Sequence, residues 1–540
     1  MWPFISAVAL AVALLASSGA PQAPPQQPAA AGPVLFETAD RCQACHNGLV
    51  TPSGEDISLG TAWRASMMAH SARDPYWQAA VRREVLDHPD AAAAIERECS
   101  RCHMPMSHTT EVAAGTAPSL FANLPPGAAG PQAALAADGV SCTACHQIQA
   151  DLLGTPESFT GHFVIDTATP AGGRPVFGPY AIEPGLQRLM HSATTFVPTG
   201  GRHIQSSELC ASCHTLYTHA LGAGGTVIAR LPEQVPYLEW RHSAYRETAS
   251  CQTCHMPVVD GPVRISSSLG QPREGVSRHS FRGGNFWMLR VLNRYRDDQG
   301  VATLPQELEA AIRDTLAHLH EDTASVAVDR VERTPGRLAF DVRVENRTGH
   351  KLPTAYPSRR VWLHVVVRDA AGAVLWESGA VEPSGRIVGN DNDRSADAFE
   401  PHYREVTSAG QVQIYESVMV DARDAVTTGL LTGVRYVKDN RLLPRGFDKA
   451  AAHADIAVHG AASSDDDFAA PGDRVRYRMP VSASGPLEIS ARLMYQSVGF
   501  RWADNLRARP APETDRFVRY YASMSQATAE WLAVTGVTVP

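Results

Sequence analysis

The chain has 540 residues, 44 % of them hydrophobic and 19 % charged, with a formal net charge of −8 at neutral pH. That length suggests two or more domains, and the acidic balance argues against a nucleic-acid partner and favours a basic one. Ten cysteines and 21 histidines are its unusual features, and their positions carry most of the reading.

At the amino end, "FISAVALAVALLASSGA" is an apolar run closing on small residues. It reads as a secretory signal over residues 1–20, although no Lys or Arg precedes it. The run is too short for a comfortable membrane span, so no span is expected in the mature chain. Residues 21–33, "PQAPPQQPAAAGP", form an extended linker. An exported protein follows, periplasmic or extracellular.

The next stretch repeats one grammar five times: Cys42-Gln-Ala-Cys45-His46, Cys99-Ser-Arg-Cys102-His103, Cys142-Thr-Ala-Cys145-His146, Cys210-Ala-Ser-Cys213-His214 and Cys251-Gln-Thr-Cys254-His255. These motifs use all ten cysteines. Zinc is satisfied by four thiolates or imidazoles and needs no histidine directly behind each pair; a disulfide needs none at all. At this histidine content each slot is filled by chance about 4 % of the time, and all five on the order of once in ten million. Covalent c-type haem accounts for the pattern, because two thioethers anchor the vinyl groups while the adjacent imidazole reaches the iron. Five covalently bound haem c groups are therefore expected, with His46, His103, His146, His214 and His255 as proximal ligands. Thioether attachment takes place outside the cytoplasm, in agreement with export.

Residues 34–290 then form a pentahaem region whose core is porphyrin wrapped by short helices and long loops. Sixteen histidines lie outside the motifs, and what fills each sixth coordination site separates a wire from an enzyme. The distal candidates are His70 and Met68 near the first motif, His108 behind the second, His162, His191 and His203 between the third and fourth, His279 after the fifth, and His350. His350 sits in a turn after a clear strand, so as an iron ligand it would join the two halves. Met67, His219 and His242 are weaker substitutes, and Met104 and Met256 suit packing against porphyrin.

In 291–325, Leu308, Ile312, Leu316 and Leu319 recur at helical spacing, predicting a connecting helix with Pro305 in its first turn. From 326 to 500 the period becomes two. In "RLAFDVRVEN", Leu338, Phe340, Val342 and Val344 alternate with Asp341, Arg343 and Glu345, and "RVWLHVVVRD", "QVQIYESVMV", "DRVRYRMPV" and "PLEISARLMYQ" repeat the pattern. An all-β domain, an immunoglobulin-like sandwich, is expected. The segment 501–540 reads as a last helix with Phe517, Tyr521, Met524, Thr528 and Trp531 on one face. The fold class is thus α+β and multidomain. Two acidic runs, "GNDNDRS" and "SSDDDF", lack the spacing of a calcium loop and read as solvated turns.

Together the five motifs, "DGVSCTACH", "SSELCASCHTLYT", "YLEWRHSAY" with "CQTCHMP", "HSFRGGN", "NRTGHKLPT" and "YVKDNRLLPRGFDK" resemble the multihaem c-type cytochromes grouped with cytochromes c-552 and c-554, related to the hydroxylamine oxidoreductase line. The resemblance spans most of the mature chain. It implies electron transfer through closely stacked haems, mostly with two axial histidines. The pentahaem nitrite reductases of that group usually carry lysine on their catalytic haem, whereas all five motifs here end in histidine. The leading expectation is an exported electron carrier serving periplasmic or membrane-bound redox proteins. One alternative is an enzyme with one open haem acting on hydroxylamine or a small nitrogen or sulfur oxyanion, with Arg282, Lys351 or Arg359 as anion clamps. Another is a docking cytochrome that assembles through its β-domain.

Overall fold

Each cysteine pair is carried on a short helix. The motifs occupy Asp40–His46, the end of Ala92–His103, Cys142–Cys145, the end of Ser207–His214, and Cys251–His255. A helical turn is the local solution because residues three and four apart share one face. Both sulfurs and the following imidazole can then address one body. The longer helix Pro75–Asp87 packs against the helix of the second motif; it starts where Asp74 accepts the backbone N–H groups of Tyr76 and Trp77 at 2.8 and 3.2 Å, with Pro75 in the first turn.

In the computed structural model, Met1 and residues 34–540 are described, so the signal segment and the linker expected over 1–33 lie outside the described residues except for Met1. Two helices, Phe286–Arg294 and Pro305–Asp322, lead from the motif-bearing region into the β-strands. The first buries Phe286, Trp287, Leu289, Val291 and Leu292; the second buries Leu308 and Leu319.

In one antiparallel sheet Arg337–Asn346 lies between Ala324–Thr334 and Gly472–Pro480, so that Val342 faces Val328 on one side and Val475 on the other. The edge Glu405–Val406 joins it in parallel. In the second sheet the order is Ile414–Tyr415, Arg360–Asp369, Leu487–Gln496, Ala529–Val539, with Val374–Ser378 also paired to Arg360–Asp369. Phe340, Tyr477 and Val475 from the first sheet share a core with Leu363, Val365 and Ile489 from the second, all fully buried. Trp376 meets Tyr477 edge-on across the layers at 5.7 Å. That core continues into Tyr76, Tyr217, Tyr237 and Phe286, and Leu35–Pro540 forms one compact unit.

Two local expectations differ from what forms. In the 501–540 stretch the helices end by Ala527, the longest being Pro512–Met524, and Ala529–Val539 is a strand paired along the whole of Leu487–Gln496. Trp531 therefore lies on that strand, not on a helical face. Val534, Thr535, Val537, Thr538 and Val539 are β-branched and suit a pleated surface, and a long neighbouring strand with a free edge makes that preference decisive. The acidic runs are also not simply solvated. Asp393 is buried and receives both ends of the Arg360 guanidinium at 2.8 and 2.9 Å, and buried Asp465 lies 3.1 Å from His402 Nε2.

Candidate functional site

The region carrying the motifs encloses a chamber of about 1070 Å³, at the upper limit of ordinary small-ligand pockets, ~300–1,000 Å³. The first, third, fourth and fifth motifs line it with both cysteines and the histidine of each. The second lies next to the fourth, with Cys102 beside Cys213, and Cys42 and Cys142 are likewise neighbours, as are Cys210 and Cys251. No disulfide joins any of the ten cysteines. The wall opposite is apolar. Helix Pro184–Thr194 buries no side chain within the protein, yet turns Leu186, Leu189, Met190 and Ala193 to the chamber.

Four of the five motif histidines are prepared in one consistent way. Nδ1 of His46 lies 2.6 Å from the Ile265 carbonyl, that of His103 3.0 Å from Ser71, that of His146 2.6 Å from Phe177 and that of His255 2.5 Å from Arg282. A carbonyl only accepts, so Nδ1 carries the proton and Nε2 keeps its lone pair. This is the arrangement by which metal-bound imidazoles are oriented. Burial holds His103 and His255 down to about 4 and lowers His146 and His214 too, which keeps the neutral, ligand-competent form at neutral pH. Trp77 stacks on His103 at 4.2 Å and 4°.

Two further histidines face this set. The His279 ring lies 6.3 Å from that of His146, at 10°, and His350 lies 6.2 Å from His255, at 14°. Metal–imidazole bonds of ~2.0 Å, with ~1.1 Å from each nitrogen to its ring centre, put imidazoles on opposite sides of one ion ~6.2 Å apart. Both pairs fit that spacing. Nδ1 of His279 lies 3.1 Å from the Ser277 carbonyl and Nδ1 of His350 2.9 Å from the Lys351 carbonyl, leaving Nε2 available in each.

Of the other distal candidates, Met68 lines the chamber and so does Met67. His70 is buried, with Nε2 3.4 Å from the Thr303 hydroxyl. His108 bonds Ser100 through Nδ1 at 3.0 Å. His162 has both nitrogens engaged, Nδ1 with the Phe159 carbonyl and Nε2 with Arg101. His191 and His203 turn Nε2 to the carbonyls of Gly172 and Ile148. His318 was missed by sequence reasoning: it lines the chamber 6.1 Å from His255 at 69°, with Nδ1 on Asp322 at 2.9 Å. The signal was available, since Ala311, Thr315, His318, Leu319 and Asp322 form one stripe of their helix and all face the chamber.

His350 is delivered from the β-half by a buried lock. Glu239, on helix Pro236–Arg241, lies 2.9 Å from Arg441 and accepts the Lys351 backbone N–H at 3.1 Å and the Thr354 hydroxyl at 2.6 Å. Asp439 completes it, 2.8 Å from both Lys351 Nζ and Arg441 Nη2. The two cations and two anions are all buried. Attraction from Arg441 and Lys351 overcomes burial and holds the Asp439 carboxyl well below its usual range. Among the three anticipated anion clamps, Lys351 is therefore committed to this lock. Arg282 lies 3.5 Å from Asp314. Arg359 lines the chamber and, among the described residues, bonds to the neutral oxygens Thr354 O at 3.1 Å and Asn285 Oδ1 at 3.3 Å with no carboxylate in ion-pair range.

No family model matches the chain, and no curated protein matches it. Among solved structures, the chain is similar in fold to a penta-heme cytochrome c552 from Thermochromatium tepidum, with a TM-score of 0.51 and 16 % identity, over 94 % of this chain and 100 % of that one. The likeness covers the motif-bearing region and the β-sheets together.

Proposed function

We propose that the protein is a pentahaem c-type cytochrome that transfers electrons between redox partners. The observation that carries this reading is the pairing of near-parallel imidazoles, His146 with His279 and His255 with His350, in a chamber lined by Cys-x-x-Cys-His motifs. The fold shared with a penta-heme cytochrome supports it. Bound haem c would supply one-electron redox chemistry at its iron. The chain's own contribution is positional. The ten cysteines anchor, the carbonyls of Ile265, Ser71, Phe177 and Arg282 aim the proximal imidazoles, and helix Pro184–Thr194 shields the chamber from water. His279 and His350 would hold the irons of the third and fifth haems together with His146 and His255. With cysteines of different motifs side by side, Cys102 by Cys213, Cys42 by Cys142 and Cys210 by Cys251, neighbouring haems would be anchored close to one another. Export to the periplasm or beyond agrees with thioether chemistry and with the amino-terminal segment; among the described residues no helix is long and apolar enough to cross a membrane.

The test is the mass of the purified chain together with low-temperature electron paramagnetic resonance. Five haems are expected, with His279→Ala and His350→Ala each converting one low-spin ferric signal to high-spin. A chain carrying zinc or disulfides in their place overturns the proposal. Arg359 favours one second reading, in which a small oxyanion enters near His214. A high-spin signal in the unaltered protein that shifts with nitrite, and ceases to shift in Arg359→Gln, would support it.

A further inference from the structure

Helix Pro236–Arg241 divides two cavities. Tyr237 and Trp240 face the chamber, while Leu238 and Arg241 face a separate cleft of about 610 Å³, well within the usual range for small-ligand sites. The cleft lies where the loop before His162, the hairpin Leu216–Gln234 and a loop of the β-half meet. Its floor is apolar: Phe159, Tyr217 and Ile456 are all buried.

Its walls are cationic. The Arg230 guanidinium lies 3.4 Å from the centre of the Tyr217 ring, and that of Arg241 lies 5.7 Å from the centre of the Tyr237 ring. Among the described residues neither arginine side chain has a carboxylate partner, and Arg230 also interacts with the Tyr217 hydroxyl. The one carboxylate lining the cleft, Asp455, accepts the Tyr217 hydroxyl at 2.6 Å and lies 3.5 Å from His453 Nδ1. Arg246 at the rim is paired with Glu247 at 2.7 Å. In a chain of net charge −8, two guanidiniums without carboxylate partners beside an apolar floor form a local positive field with an apolar seat.

We propose that this cleft binds a small organic dianion with a flat, apolar body. Each guanidinium offers a planar fork to a sulfonate, carboxylate or phosphate, and the floor takes the body out of water. A lone inorganic anion would leave most of the volume and the whole apolar floor unused. The cleft's connection to electron transfer, one helix away from the chamber, rests on the cytochrome reading; the binding itself does not.

The probe is anthraquinone-2,6-disulfonate, titrated calorimetrically into the haem-loaded protein at fixed ionic strength. Saturable binding at a single site is expected, with Arg230→Gln and Arg241→Gln each weakening it about tenfold or more, and Arg246→Gln changing it little. Unaltered haem absorption and circular dichroism check that the variants are folded. Absence of saturable binding, affinity indifferent to both central substitutions, or equal competition by sulfate overturns the proposal. Haem content is counted by mass on the same sample, so failure of the cytochrome reading and failure of this one are separate results.

Discussion

Replacing Glu239 by glutamine tests how the two halves are held in register. The side chain is fully buried in a cluster of two cations and two anions, so the exchange leaves a net positive charge among Lys351, Arg441 and Asp439 with no access to water. The amide keeps one acceptor for the Thr354 hydroxyl or the Lys351 N–H, so the loss is chiefly electrostatic. Breaking a buried pair by removing one partner costs about 3–5 kcal/mol, a large part of the stability of any domain. The assay is denaturant unfolding of the haem-loaded protein, read as the shift in midpoint at constant slope. Lys351→Met should recover part of the loss when added to Glu239→Gln, because it removes the surplus cation. Since Lys351 follows His350, the low-spin signal of the fifth haem should also broaden in Glu239→Gln. A loss under about 1 kcal/mol, or strict additivity of the two substitutions, would falsify the lock as the device that seats His350.

Three further outcomes are expected. Burial, reinforced by the charge of Glu84, pushes the Glu233 carboxyl up to about 8. A raised folded-state value means that its stabilising contribution is complete below the ordinary carboxylate range and is lost as pH rises towards 8, at up to about 1.4 kcal/mol per pH unit; Glu233→Gln should flatten that part of the stability profile, and an unchanged profile refutes the assignment. A Cβ added at Gly284 runs into the Tyr495 hydroxyl, so Gly284→Ala should destabilise by about 1–3 kcal/mol in thermal unfolding and Tyr495→Phe should restore part of it. Expressed without haem attachment, the motif-bearing region should show no slowly exchanging amides in hydrogen exchange, since the apolar faces around the chamber then have nothing to pack on; strong protection there would count against a porphyrin core.

Much of the site was legible in one dimension because its chemistry is local. Cys-x-x-Cys-His brings two sulfurs and an imidazole together within a single helical turn, so the expectation of five sites with two thiols and one imidazole each follows from spacing alone. The strands Arg337–Asn346, Gly472–Pro480 and Leu487–Gln496 were legible for the same reason, since alternation every second residue is a local property of a half-buried strand. The carboxyl-terminal strand was not, because helical spacing of Thr528 and Trp531 competed with β-branched content, and pairing with a strand more than thirty residues earlier resolved the contest.

Distal partners belong to the other class. His279 and His350 could be named as candidates, but so could His162 and His191, whose nitrogens are turned to Arg101, Phe159 and Gly172. Opposition of two rings across 6 Å is a relation between distant segments, and in His350's case it depends on Glu239, Asp439 and Arg441 neutralising one another in the interior. The sequence by itself determined which residues could hold haem and how many sites there are, because each motif closes within one turn of chain. Only the tertiary structure decided which histidines face one another and where arginines without carboxylate partners collect, because those positions are settled by packing and buried charge over the whole fold.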